Sequence, residues 1–93
     1  MKANEEITKL MQWDLKHFKD RESYFLFGLK EIEKHMPELR ELNEAKDPHL
    51  LDEIADVYIW SRMVLEAHKI NDEIILKRVD RFREKISAHR GKK

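Results

Sequence analysis

Ninety-three residues, 41% charged and 41% hydrophobic, with two glycines and two prolines, describe one small helical domain with no room for a second core. Nineteen basic and nineteen acidic residues cancel, so no global field draws the chain to nucleic acid or to an anionic membrane. The lack of cysteine excludes disulfides, zinc–thiolate sites and thiol catalysis. No apolar run approaches the ~20 residues needed to span a bilayer, and MKANEEITKL at the amino terminus lacks the apolar core of a signal peptide. The expectation is a soluble, cytoplasmic protein with neither membrane nor nucleic acid as partner.

The first helix is expected over about residues 4 to 18, where Ile7, Leu10, Met11, Leu15 and Phe18 recur roughly once per turn. A second begins near Glu22 or Ser23. In it Phe25, Leu29, Ile32, Met36 and Leu39 keep one face apolar. Pro37 falls inside this helix, where proline removes a hydrogen bond and crowds the preceding turn. The apolar stripe stays in phase across it, which favours a kinked continuous helix over a new short helix ending near Ala45. Asp47-Pro48 marks the start of the third helix, an acid cap followed by proline at the first helical position, and that helix should reach about His68. Asn71 caps the fourth, with Ile70 and Ile75 spaced as a hydrophobic staple. Ile75, Val79, Phe82 and Ile86 form its stripe. Short connections make neighbouring helices antiparallel. The whole chain, residues 1 to 93, thus reads as a single all-α four-helix domain. Its basic tail, from about residue 87 and ending HRGKK, reads as a solvated helix end.

The third helix poses the chemical question. It carries twelve apolar residues between Leu50 and Ala67, spread around most of its circumference. That is more than one small bundle covers, so a homodimer or a dimer of dimers is expected, with Trp60, Met63 or Tyr58 near the contact. Within this apolar helix sit Glu53 and Asp56, which share a flank with Trp60, Met63 and Ala67. Leu51, Ile54 and Tyr58 belong to the arc read as the packing face. On the second helix Glu31, His35 and Glu38 line one side, with Glu41 a turn beyond. Two antiparallel helices can aim these carboxylates at one point. Carboxylates so gathered repel and raise at least one pKa, unless a cation sits between them. All-oxygen ligands suit magnesium or manganese, and an imidazole shifts the preference toward manganese or zinc.

The segment HLLDEIADVYIWSRMVLEAHKINDEIILKRVDRFREKI resembles the second half of the MazG-type, all-α nucleoside triphosphate pyrophosphohydrolases. That superfamily also includes dimeric dUTPases and the phosphoribosyl-ATP pyrophosphohydrolases. Its mark is an E-x-x-E pair on one helix and an E-x-x-D pair on the next. Glu53-Ile-Ala-Asp56 matches the second pair, with Leu-Leu before it and Val after it. For the first pair, Glu38 matches the second acid and His35 stands at the first acid's place. Glu38-Leu-Arg-Glu41 restores a literal E-x-x-E with a shorter loop. The resemblance covers about residues 20 to 86.

The resemblance implies a MazG-like bundle that oligomerises and a nucleotide substrate cleaved between its α and β phosphates. A magnesium or manganese ion would be held by Glu38, Glu53 and Asp56, with His35 in the remaining ligand place. Glu41 or Glu31 would act as general base, and Lys77 or Arg83 would balance charge on the leaving pyrophosphate. The rival reading is a non-catalytic dimerisation or adaptor module whose acids pair with Lys30, Lys34, Arg40 and Arg62 across the bundle. Trp60 and Met63 read as packing residues before they read as a base-stacking pocket.

Overall fold

The computed structural model describes residues 2–70 and 72–90. Four helices follow one another: α1 (Lys2–Leu15), α2 (Arg21–Glu44), α3 (His49–Ala67) and α4 (Asp72–Arg90). No strand occurs among the described residues. No helix among them is long and apolar enough to cross a membrane. The expected caps Asn71 and the tail residues Gly91, Lys92 and Lys93 lie outside the described residues.

α1 is shorter than its apolar periodicity predicts. It ends at Leu15, and a turn closed by His17 N–H to the Asp14 carbonyl (2.9 Å) leads the chain round. Phe18 still reaches the core from this turn, edge-on to Tyr24 with ring centroids 5.0 Å apart. α2 starts earlier than expected because Asp20 caps it. The backbone of Asp20 is extended (φ −159°, ψ 176°) and its carboxylate accepts from Ser23 N–H at 2.8 Å. The helix then runs through Pro37 without interruption to Glu44. Asp47 caps α3 as its sequence signal predicts. The Asp47 carboxylate accepts from His49 N–H at 2.9 Å, and Pro48 already has helical angles (φ −63°, ψ −17°).

Both interhelical turns of the α2–α3–α4 run end in the same way. Lys46 (φ 55°) and Lys69 (φ 62°) sit in the left-handed region. Around the first, Asp47 N–H donates to the Leu42 carbonyl at 2.9 Å. Around the second, Ile70 N–H donates to the Leu65 carbonyl, also at 2.9 Å. These are Schellman closures, normally given to glycine. Nothing in the lysine side chain announces them.

α2 and α3 are antiparallel: Tyr24 meets Met63, Gly28 meets Val64, and His35 meets Glu53. The rotation of α2 differs from the one its apolar stripe predicts. Tyr24 and Gly28 are its buried residues, whereas Leu29 and Met36 face outward. Gly28 explains this. A Cβ added there would lie 2.2 Å from Val64 Cγ2, so the two helices approach closely along the residue that hydrophobicity patterns ignore. α3 is rotated correspondingly. Its inward face is Trp60, Met63 and Ala67, on the flank of Glu53 and Asp56, while Leu51 (73% exposed), Ile54 and Tyr58 point outward.

The core is small: Ile7 and Met11 of α1, Tyr24 of α2, Met63 and Ala67 of α3, with Leu15, Phe18, Ile59 and Trp60 packed around them. Polar links reinforce it. Thr8 donates to the Glu66 carboxylate, Arg21 to the Ala67 carbonyl, and the Tyr58 hydroxyl to Asn4 Oδ1 at 2.5 Å. α4 has no buried residue. Its start is tied to α3 by the ion pair of Arg62 with Asp72 at 3.0 Å. The radius of gyration, 15.8 Å, accordingly exceeds the ~12 Å of a compact domain this long.

Candidate functional site

α1 covers only the Tyr24–Met63 end of the α2–α3 pair, so the other end is open. There α2 presents His35 and Glu38 one turn apart, and α3 presents Glu53 opposite them. His35 Nδ1 lies 2.7 Å from Glu53 Oε1, with the two side chains 17% and 23% exposed. One donor atom from each of His35, Glu38 and Glu53 falls within 4.8 Å of the others. Among the described residues this is the one group of three such donors.

The electrostatics are those of crowded acids. The Glu38 carboxyl is held above the usual range, first because its hydrogen bond with Glu53 favours the protonated form, then because of the Glu53 charge. Glu53 moves the other way. The His35 hydrogen bond lowers it most, followed by the one from Glu38. The two carboxyls are thus pushed in opposite directions, Glu38 up and Glu53 down. Glu38 is the raised carboxyl expected where several acids share a flank.

A cleft of about 450 Å³ opens beside this group, lined by Glu38, Glu41, Leu42, Ala45, His49 and Glu53. Glu41 is therefore at the cleft, exposed, and its charge adds to the upward push on Glu38. His49 is a member that sequence reasoning missed. Its Nδ1 is 3.3 Å from Asp52 Oδ2, and its charge helps hold Glu53 down. The spacing from His49 to Glu53, one helical turn, was the available signal.

Other expected site residues stand elsewhere. Asp56 is half-buried one turn beyond Glu53, outside the donor group, and is joined to no basic side chain among the described residues. Glu31 pairs with Lys34 at 3.2 Å along its own helix. Lys77 is exposed on α4, and Arg83 pairs with Asp80 at 3.0 Å on the same helix. Neither lines the cleft within one chain. The cross-bundle pairs of the adaptor reading are not formed as drawn. Arg62 bonds Glu66 on its own helix and Asp72 at the start of α4. Among the described residues Lys30 and Arg40 have no acidic partner. Met63 is buried and Trp60 packs against the core, so both are packing residues.

Compared with models of protein families, with curated proteins and with solved structures, the chain finds no match in any of the three.

Proposed function

We propose that the open end of the α2–α3 pair binds a divalent cation and hydrolyses a nucleotide between its α and β phosphates. The observation that carries this reading is the convergence of His35, Glu38 and Glu53 from two helices to within 4.8 Å. One imidazole nitrogen and two carboxylates fit manganese or magnesium. Ligands at ~2.1 Å from one ion stand ~3–4 Å apart, so small side-chain movements suffice. The raised Glu38 carboxyl supports the reading, because a bound cation would offset the crowding by Glu53 that pushes it up.

When bound, the cation would neutralise phosphate charge and acidify the attacking water. Glu41, which lines the cleft, would orient that water and accept its proton. Water adds to the α phosphorus, the bond to the α–β bridging oxygen breaks, and a nucleoside monophosphate and pyrophosphate leave. Balancing charge on the pyrophosphate falls to Lys77 or Arg83. Both lie on α4, so they act here only in a homodimer or a dimer of dimers that brings α4 to a cleft. The E-x-x-D resemblance at Glu53 and Asp56 adds weight to this chemistry.

The adaptor reading keeps one specific observation in its favour. The 2.7 Å contact with His35 already gives Glu53 a partner without any metal. A pyrophosphate-release assay over the common nucleoside triphosphates, with magnesium or manganese, separates the two. Hydrolysis by the wild type and its loss in Glu53→Gln is the expected result. A wild type inert with every nucleotide and both metals, on folded protein, would leave the adaptor reading standing.

A further inference from the structure

α4 is an amphipathic helix none of whose apolar residues is buried among the described residues. Val79, Phe82 and Ile86 are 44%, 52% and 48% exposed. With Ile75 they repeat at intervals of four, three and four residues, the spacing of a seam that packs against another helix. The seam is rimmed by cations. Arg78 and Lys85 flank it on one side and reach over Phe82, at 5.9 and 5.6 Å from the ring centroid. By helical spacing Arg83 and Arg90 stand on the other side. Two such helices face to face would set like charges against each other, so α4 is poorly suited to pair with α4.

The rest of the chain has the opposite character. Residues 1 to 71 carry eleven basic and fifteen acidic side chains, whereas residues 72 to 93 carry eight basic and four acidic. The zero net charge thus hides a body at −4 and an α4 segment at +4. On the outward face of α2 lies a shallow, open groove between the side chains of this one helix, lined by Glu33, Met36, Pro37, Arg40, Glu41 and Glu44. It has three acids against one cation, and an apolar floor that Leu29 extends along the same exposed face.

We infer that α4 of one copy docks in this α2 groove of a second copy, and reciprocally, its apolar seam on Met36 and Leu29 and its basic rims on Glu33 and Glu44. The exchange is two-fold and closes on itself, so it yields a dimer and not a fibre. A 19-residue helix is ~28 Å long and ~10 Å wide. Two of them seated in grooves bury on the order of 1,000 Å², the lower bound for a specific interface. Glu41 lines both the groove and the neighbouring cleft, so a seated α4 carries its cationic rim to the edge of the Glu38–Glu53 group. The docking itself does not depend on that cleft being catalytic.

Charge reversal tests the match, read by sedimentation mass on the full chain at micromolar concentration. Wild type is expected at twice the 11.3 kDa chain mass. Glu33→Lys/Glu44→Lys and Arg78→Glu/Lys85→Glu should each sediment at one chain mass, since each sets like charges against like. An equimolar mixture of the two should regain the double mass, because both of its interfaces are again complementary. Circular dichroism equal to wild type shows that the variants fold. Should a double variant lose helicity, Glu33→Lys and Arg78→Glu alone carry the same comparison. A monomeric wild type, a variant that stays dimeric, or a mixture that stays monomeric overturns the inference. So does a wild type found monomeric but bound through α4 to phosphatidylserine vesicles, which would make a lipid surface the occupant.

Discussion

The two ends of the α2–α3 pair are built from the same helices and differ in nearly everything else. At one end α1 closes over Tyr24, Met63 and Ala67, and α2 and α3 touch along a glycine. At the other end α1 is missing, the facing residues are His35, Glu38 and Glu53, and a cleft opens. The closed end holds the buried core, and the open end gathers the titratable groups. The open end can gather charge because the closed end fixes the spacing of the helices. If this division is right, substitutions at the closed end change stability, while those at the open end change what the protein binds.

The largest effect should come from Met63→Ala. Met63 is buried, and the Tyr24 hydroxyl lies 3.6 Å from its sulfur. Truncating a buried Met costs ~2–5 kcal/mol, enough to unfold much of so small a domain in a denaturant titration. Gly28→Ala comes next. Its Cβ would strike Val64 Cγ2, and overpacking costs ~1–3 kcal/mol, partly offset by ~0.5–1 kcal/mol of helix propensity. A Gly28→Ala protein more stable than wild type would show that the helices are farther apart than described here.

Tyr24 sharpens the comparison through pH. Burial, and then the nearby Asp14 charge, push its hydroxyl well above the ordinary value of 10.0. A pKa raised in the folded state means that the contribution is fully present below pH ~10 and is lost as pH rises through the folded value. The slope for one proton is at most ~1.4 kcal/mol per pH unit. Alkaline melts of Tyr24→Phe should lack that component of the slope. The smallest effect is a gain. Lys46 ends α2 at the open side and Lys69 ends α3 at the closed side, both left-handed. Glycine at either position should raise stability by about 1 kcal/mol, measured by chemical denaturation.

How much of this was legible in the sequence follows from what each feature depends on. Four helices were, because their periodicity is local, and so was the start of α3, because Asp47-Pro48 carries its own cap. The Asp20 cap was equally local, with Ser23 as its N–H donor, and was overlooked beside the stronger apolar signals. The rotation of α2 was not legible. It is set by Gly28, and a residue with no side chain is invisible to any count of apolar positions. The facing of Glu53 toward α2 was legible from its flank with Trp60 and Met63. That Asp56 would fall outside the donor group was not, since that depends on the crossing of two helices. The Lys46 and Lys69 turns leave no trace in residue type. The isolation of α4 cannot be read either, because an amphipathic stripe looks the same whether or not something covers it.

The central claim is that the open end holds a divalent cation, and thermal melts with and without manganese test it most directly. A cation that binds only the folded protein, at ~100 times its dissociation constant, adds ~2.7 kcal/mol. The account predicts that shift in the wild type and its loss in Glu38→Gln. The metal-free Glu38→Gln protein should be no less stable than wild type, because the Gln amide can still donate to Glu53 and replaces the carboxyl that Glu53 crowds. A wild-type melt unmoved by manganese, beside a Glu38→Gln protein strongly destabilised without metal, would contradict it.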